Sequence, residues 1–563
     1  MFVLETFVLG SLLYAGGRFA LRRKSAQTQS SQVRKQTILG ATDEPKQSQH
    51  ALTQAQAKRN LRTSQVALGL AVAGAALRMP VIGLASLPAM LLVFAPVYGG
   101  AWRALRTWRI DAQVLDATRV SVCVIMGYTV IAALNALLHA SSQRLFLRSE
   151  EELSNTLQES LGLKERLVWV ECGGVEVQTP LDQIKPGMVL VLRGGDTAPV
   201  DGVVVSGSAW FALRFAEDRA AEARLGDRVA AGSQILDGAV SLRIEAIPET
   251  ALTLYGQLRE APLKQTLLRR IGEDTGGRMG PWMIAAFALS TPIMGVNRAA
   301  AFLTTSFGTQ MNRLSPYTAR QFIGFAANHG ILILEPRALE LANLVNMVIF
   351  DARVLDHPSA RPHAAGLVHA LGLMPCPSAD PLPTPLGIYV MATSEDQGRC
   401  LVDDLGLDGY FIEAEGAGRA SLVEGLQLGG RTVCYVGTGA LDAAALDNAL
   451  LSVEVRDPSD LSESQAHIVL LDPRLRGLPG VFELARLFAA KQSFNLLAPI
   501  GVDLLDISTT IFLHFGLVYS VLLSDTGLLS SVAQAKMPKS PPIALPKAPP
   551  PPNPGEEDPR LIT

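Results

Sequence analysis

The chain has 563 residues, 48% of them hydrophobic, and a mean hydropathy of +0.25. It is too apolar for an ordinary soluble enzyme of this size and long enough for several domains. A formal net charge of −3 gives no electrostatic basis for binding nucleic acid. The five cysteines (Cys123, Cys172, Cys376, Cys400 and Cys434) include no CxxC pair, which argues against a zinc site or a disulfide framework and for reduced thiols facing a cytosol.

Residues Phe2 to Tyr14 are apolar and are followed by Arg18, Arg22, Arg23 and Lys24. This reads as an uncleaved anchor with its basic flank in the cytoplasm. Residues 25–63 are rich in Gln, Ser, Lys and Arg and read as a mobile polar linker. Val66 to Tyr98 is apolar but broken at Arg78-Met79-Pro80, which predicts a two-helix hairpin. Tyr98-Gly99-Gly100 permits a sharp kink, and the basic, Trp-containing segment Ala101 to Arg109 after it suits a membrane interface. Val114 to His139 is apolar with a turn signal at Gly127-Tyr128; either one crossing or a hairpin of two short helices accommodates it. Val168-Trp169-Val170, Val175-Glu176-Val177, Val189 to Leu192 and Val203-Val204-Val205 have strand character, so a β-rich module is predicted over about 165–250. Apolar segments at about 280–296 and 298–312, a Rossmann-like α/β region over about 345–480 and an apolar pair near 494–533 complete the order. Residues 537–563 are Pro-rich and read as a solvated tail or a docking segment.

Several phrases, taken together and in order, resemble P-type ATPases of the heavy-metal subgroup. They include Ile184-Lys185-Pro186-Gly187-Met188-Val189, Ala198-Pro199-Val200-Asp201-Gly202-Val203-Val204 and Gly226 to Ser233. The run Asn346 to Asp351, followed by His467 to Leu471 and Leu475 to Pro479, continues the likeness. The resemblance covers roughly residues 65–535. It implies a polytopic α-helical membrane protein with a β-rich actuator-like cytosolic domain and an α/β Rossmann-like (HAD-type) cytosolic domain. The corresponding boundaries are an anchor at 1–24, a linker at 25–63, membrane helices with kink and platform at 64–160, and an actuator-like domain at 161–262. Further membrane helices follow at 263–335, a reduced phosphorylation-type domain at 336–490, a last membrane pair at 491–535 and the tail at 536–563. The resemblance also favours the hairpin reading of 114–139. It implies the plasma membrane of a bacterium, with the soluble domains in the cytoplasm.

The resemblance places Asp351 at the phospho-acceptor position, but Ala352 and Arg353 replace the Lys and Thr that follow it in relatives. Thr393 is the one match to a Thr-Gly-Asp-Asn loop, Arg419 stands for a phosphate-binding Lys, and Asp442 ends a hinge motif. In that motif Thr438 and Leu441 replace an Asp that ligates Mg²⁺ and an Asn. Glu217 falls at the actuator Glu position in Phe215-Ala216-Glu217, where a surface acid is the competing reading. A nucleotide-binding domain would lie between Asp351 and Thr393, where only 41 residues stand. His357-Pro358 there has the wrong spacing to stand for that domain's His-Pro pair. Phe307-Gly308-Thr309 occupies the place of a Cys-containing transport motif, so soft metals lose their thiolate ligands. Asp503, Asp506 and Asp525 lie in or near the last apolar pair and either bind a harder cation or sit at the interface.

The expected function is a non-catalytic homologue that regulates or scaffolds a metal-homeostasis or other membrane partner, through its cytosolic domains or Pro-rich tail. No cofactor is expected, ATP and Mg²⁺ being needed only if the family activity survives. The alternative is a divergent metal cation-translocating ATPase or transporter.

Overall fold

The computed structural model describes residues 46–536 apart from 108–109, 111, 162–166, 173, 181–183, 185–186, 197, 201, 213–219, 230–232, 245–253, 255–256, 259–260, 262–265, 306–307, 374–385, 415, 440–441 and 457–463. The N-terminal anchor, Glu217, Phe307 and the tail at 537–563 therefore lie outside the described residues. The chain divides into two compact units, Met1–Arg59 and Asn60–Thr563. Residues 46–59 of the first are helical, and the same helix, α1 (Lys46–Ala76), ends in the second. The C-terminal part of the expected linker is thus helical. Its Ala, Gln, Lys and Arg residues are good helix formers, and no Gly or Pro interrupts Gln47 to Gly69.

The break at Leu77 to Met79 is present, with Arg78 at φ 54°. Helices α2 (Pro80–Leu84) and α3 (Leu87–Arg106) follow it. Close packing across the turn needs glycine, since a Cβ on Gly74 would lie 2.4 Å from the Gly83 nitrogen. The kink expected at Gly99-Gly100 does not interrupt the helix: α3 runs through both glycines to Arg106. Gly100 instead makes room for the Gln113 side chain. The hairpin reading holds for the next segment, with α4 (Ala112–Ile125) and α5 (Thr129–Ser160) flanking a turn at Gly127, φ +77°.

The β-rich module is an antiparallel sheet of β1 (Leu167–Cys172), β2 (Val175–Pro180), β3 (Val189–Arg193), β4 (Gly202–Ala212), β5 (Ala220–Ala223), β6 (Arg228–Val229) and β7 (Gln234–Ile244). Its order is β2-β1-β3-β7-β4-β5, with β6 on β4. Alternating residues such as Leu190 and Leu192, and Leu242 and Ile244, are buried on one face, as a half-covered antiparallel sheet requires.

Helix α6 (Leu267–Met294) starts thirteen residues before the apolar run expected at 280–296. Its first turn is capped by Thr266, which accepts from the Arg269 N–H (3.3 Å), and by the Glu340 carboxylate, which accepts from the Leu267 N–H (3.0 Å). A carboxylate at a helix N-terminus opposes the positive end of its dipole. The second segment, expected at 298–312, is not one helix. It comprises α7 (Val296–Ala299), a 3₁₀ turn (Ala300–Leu303), a break, and then α8 (Thr309–Ala327). Gly308 ends the break at φ +92°, and a Cβ there would lie 2.1 Å from the Gly272 carbonyl oxygen.

The second sheet is built from β8 (Ile331–Ile333), β9 (Met347–Asp351), β10 (Gly387–Ala392), β11 (Gly409–Ile412), β12 (Val433–Gly437), β13 (Leu451–Val455) and β14 (Ile468–Leu470). The order is β11-β10-β9-β12-β13-β14-β8, parallel except where β8 meets β14. Every residue of β9, β12 and β13 is buried, which is why β9 and β12 read as largely apolar runs, while β13 also buries Ser452 and Glu454. Between them run α9 (Arg337–Ala342), α10 (Ala352–Asp356), α11 (Arg361–Gly372), α12 (Glu395–Leu405), α13 (Gly416–Leu428) and α14 (Ala443–Asn448). Among the described residues, α10, α11 and β10 fill the interval from Asp351 to Thr393, with no further domain.

The expected last membrane pair is longer on its N-terminal side. Helix α15 (Leu478–Phe512) runs unbroken across the boundary placed at 490, and α16 (Leu517–Ala535) returns beside it. Among the described residues, two helices, Val81–Arg106 and Leu478–Phe512, are long and apolar enough to cross a membrane. Leu92, Trp282, Leu289, Ile293 and Phe512 of the helical bundle are exposed, while Asn495, Asp503, Asp506, Thr510 and Ser524 are buried beside an apolar core that includes Met90, Val93, Phe94, Leu517 and Val521. Large exposed apolar side chains suit a lipid-facing surface.

Gly308→Ala should lower stability by more than about 1 kcal/mol, because Ala is strained at positive φ. Thermal unfolding of the detergent-solubilised chain checks this, with Gly277→Ala, which meets no neighbour within 4 Å, as the control.

Candidate functional site

Strand β9 lies in the middle of the parallel sheet. The chain leaves it for β10 and β11 on one side, then returns to β12 on the other. The order therefore reverses between β9 and β12, and the crevice outside their carboxyl ends is where such sheets bind ligands. Asp351 is the last residue of β9, and Asp442 follows the turn after β12. Both carboxylates are fully buried.

Two arginines hold them. Asp351 caps α10, its Oδ1 accepting from the Arg353 N–H (2.7 Å) and Nε (3.1 Å). Its Oδ2 accepts from Arg353 Nη2 (2.8 Å) and from Arg419 Nη1. Arg353 Nη2 also reaches Asp442 Oδ2 (3.1 Å), and Arg419 Nη1 reaches Asp442 Oδ1 (2.5 Å). The Tyr435 hydroxyl donates to Asp442 Oδ1 (3.1 Å), and Arg419 Nε donates to the Glu413 carbonyl (3.0 Å). Arg419, like both carboxylates, is buried. A carboxylate offers about four lone-pair sites, and Asp351 has all four engaged.

The pair titrates asymmetrically. Burial pushes Asp351 up, but the hydrogen bonds from Arg353, the neighbouring Asp442 and the Arg419 charge outweigh it and hold its carboxyl below the usual range. Burial, together with the Asp351 charge, raises Asp442 from 3.8 to about 6, against the pull of Arg353 and Arg419. Burial and the two carboxylates also push the Tyr435 phenol upward. As pH falls, the pair takes up its first proton on the Asp442 side.

The expected site residues divide into three groups. Asp351, Arg419 and Asp442 are brought together. Thr393 stands two residues beyond Met391, the β10 partner of Asp351, but its hydroxyl donates to Gln397 Oε1 (3.0 Å), and Gln397 Nε2 donates in turn to Asp356 Oδ2 (2.9 Å). Asp503, Asp506 and Asp525 lie in α15 and α16, away from the sheet. Asp503 and Asp506 are buried in the helical bundle rather than exposed at its edge. Asp525 borders a cavity of about 40 Å³ lined also by Asp116, Arg119, Asn135, His139 and Arg313. Asp116 pairs there with Arg119 (3.1 Å) and Arg313 (3.8 Å). Tyr435 and the doubly bonded role of Arg353 were not expected from the sequence. Arg119 and Arg313 were also missed, although a charge inside the apolar stretch 114–139 was a visible signal. Among the described residues no three His, Cys, Asp or Glu side chains converge as a metal site.

The P-type ATPase actuator domain family matches residues 162–258, the region of the antiparallel sheet. A 217-residue stretch is 29% identical to "Probable copper-exporting P-type ATPase V" of Mycobacterium tuberculosis, covering 36% of this chain and 28% of that protein. A 274-residue stretch is 28% identical to "Manganese-exporting P-type ATPase" of Mycobacterium bovis, covering 46% of this chain and 38% of the relative. The chain is a homologue of the P-type ATPases. Its matches thus span about a third of the length of these metal-exporting relatives. A solved zinc-transporting PIB-type ATPase aligns at 18% identity with a TM-score of 0.48, over 85% of this chain and 99% of that one.

A Mg²⁺ ion does not fit the crevice of this P-type ATPase homologue as it stands. A divalent cation needs free carboxylate oxygens, and those of Asp351 are occupied by two guanidinium groups that would repel it.

Arg419→Ala should destabilise the chain by about 3–5 kcal/mol, because it leaves two buried carboxylates under-compensated; denaturant unfolding measures this. The raised value of Asp442 gives stability that is fully present below its unfolded value near 3.8 and is lost as pH rises through about 6. The lowered Asp351 acts oppositely, its contribution being lost as pH falls through its folded value. The parent's stability minus that of Asp442→Asn should therefore decline between pH 4 and pH 6.5, as read from unfolding midpoints across that range.

Proposed function

We propose that this chain is a non-catalytic P-type ATPase homologue, a multi-pass membrane protein of the bacterial plasma membrane with its sheet domains in the cytoplasm. It regulates or scaffolds a metal-homeostasis or other membrane partner through those domains or its Pro-rich tail. The observation that carries the reading is the saturated Asp351 carboxylate, which is fully buried and holds four hydrogen bonds from Arg353 and Arg419. Aspartyl phosphate formation needs a free carboxylate lone pair in line with the transferred phosphorus, a Mg²⁺ ion and a bound nucleotide. Here arginines take the place of the metal, and the 41 residues between Asp351 and Thr393 hold two helices and a strand where a nucleotide domain would be inserted. The exposed apolar side chains of the helical bundle and its two long apolar helices support the membrane location.

A second reading, a divergent cation transporter, is favoured by the metal-exporting relatives and by the buried acids Asp503 and Asp506.

The purified chain in detergent should bind no labelled ATP at millimolar nucleotide, with or without Mg²⁺. It should also form no acid-stable phosphate adduct. Metal-stimulated ATP hydrolysis that disappears in Asp351→Asn would overturn the non-catalytic reading.

A further inference from the structure

The two faces of the antiparallel sheet differ in what they carry. Val170, Leu190, Val240, Leu242 and Phe211 are buried on the core face. On the opposite face Trp169 of β1 stands beside Val191 of β3, Val191 beside Ser241 of β7, and Ser241 beside Ser206 of β4. Trp210 follows four residues further along β4 on that face, opposite Asp237. Trp169 and Trp210 are both exposed, and so are Ala239 and Ser208 between them. The strip from one indole to the other is therefore floored by small side chains. Arg193, paired in register with Ala239, is drawn toward Trp169: its Nη2 reaches Glu176 Oε2 (2.6 Å) and its guanidinium lies 5.9 Å from the ring centre. Three strand spacings of about 4.8 Å and four residues of about 3.4 Å separate the two Trp positions, so they stand about 20 Å apart along the diagonal.

Large exposed aromatic side chains on a soluble domain mark an interaction surface. Aromatic-lined surfaces suit polyproline II segments, whose preset backbone loses little entropy on docking. The tail of this chain has such a segment. A polyproline II helix has three residues per turn, and Ile543, Pro546, Pro549 and Pro552 recur at every third position, so all four fall on one edge. From Pro546 to Pro552 that edge spans about 19 Å at a rise of about 3.1 Å per residue, which matches the spacing of the two Trp positions. Lys547, next to Pro546, has a carboxylate partner available in Asp237, the in-register neighbour of Trp210. The described chain leaves α16 at Lys536, and the stretch from there to Pro546 reaches about 31 Å at the same rise.

We propose that Pro546–Pro552 docks in polyproline II form across the outer face of the antiparallel sheet of the same chain, with Pro546 at Trp210 and Pro552 at Trp169. The docked tail covers the aromatic face and its own prolines together, so a partner that reads either one must first displace it. The contact needs neither nucleotide nor metal, and it is independent of whether Asp351 is ever phosphorylated.

The test is brief trypsin digestion of the full chain in detergent, with cleavage after Lys547 and after Lys539 followed by mass spectrometry. A synthetic peptide of residues 536–563 gives the unprotected rates. Cleavage after Lys547, inside the docked segment, should be at least tenfold slower in the chain than in the peptide, while cleavage after Lys539 is slowed less. The protection should be lost in Trp210→Ala and in Ser208→Glu. The second variant keeps both indoles and alters only an exposed position on the strip, so it separates a lost surface from a lost fold. Equal rates at Lys547 in chain and peptide overturn the proposal. Protection that persists in both variants also overturns it, the tail then being covered by another surface or by detergent. Protection that fades on dilution overturns the assignment to the same chain, a second copy then supplying the tail. ATP hydrolysis, measured separately, would refute the non-catalytic reading without touching this one.

Discussion

Two buried carboxylates facing two guanidinium groups at the switch point of a parallel sheet set the character of this molecule. Asp351 and Asp442 sit at the carboxyl ends of adjacent central strands, and Arg353 and Arg419 bridge them. A crevice of this kind can serve chemistry only if its charges remain available. Here they are spent on each other in a low-dielectric setting, where removing one partner is far more costly than the pair is worth. The cluster joins β9, β12, α10 and α13 into one unit.

The helical bundle poses the opposite electrostatic problem. Its outer surface carries Leu92, Trp282, Ile293 and Phe512, and its interior carries acids, amides and hydroxyls. Around Asp351 each acid is answered by arginine. Around Asp116 a similar answer is given by Arg119 and Arg313. Around Asp506 the Thr304 hydroxyl donates to the carboxylate. The cap that Glu340 places on the first turn of α6 ties the sheet domain to the bundle, so a change of charge in one is mechanically close to the other.

Much of the fold was legible because its signals are local. The strands of the antiparallel module, the turn at Gly127, the break at Arg78-Met79-Pro80 and the buried strand ending in Asp351 all follow from periodicity and breakers acting over a few residues. The errors have equally local causes. Gly99-Gly100 lies within an unbroken helix rather than between two, and the missing Cβ of Gly100 makes room for Gln113. The segment 298–312 is apolar, yet it is divided between a 3₁₀ turn and the start of α8. The close approach of Gly308 to Gly272 takes the chain out of helical geometry there. Helix α15 crosses an expected domain boundary because nothing in Leu478 to Phe512 stops it, and its Pro499 is accommodated within the helix.

The sequence by itself determined which residues were candidates: Asp351 at the end of an apolar strand, Asp442 after a glycine turn, Arg419 as a cation, and acids within apolar helices. The first three are picked out by the resemblance of their flanking phrases to the P-type ATPases, and the helix acids by residue type within apolar runs. Only the tertiary structure decided what the candidates do. Residues 68 and 89 positions from Asp351 or Arg353 reach hydrogen-bonding distance through a parallel sheet whose order the sequence does not state. Arg353 replaces the Thr of relatives, and it is a clamp because Asp351 caps the helix in whose first turn it stands. Thr393 matched a motif yet turned toward Gln397, a choice made by the first turn of α12. The balance of charge in a buried crevice depends on which side chains meet there, and that is fixed by long-range packing rather than by local pattern.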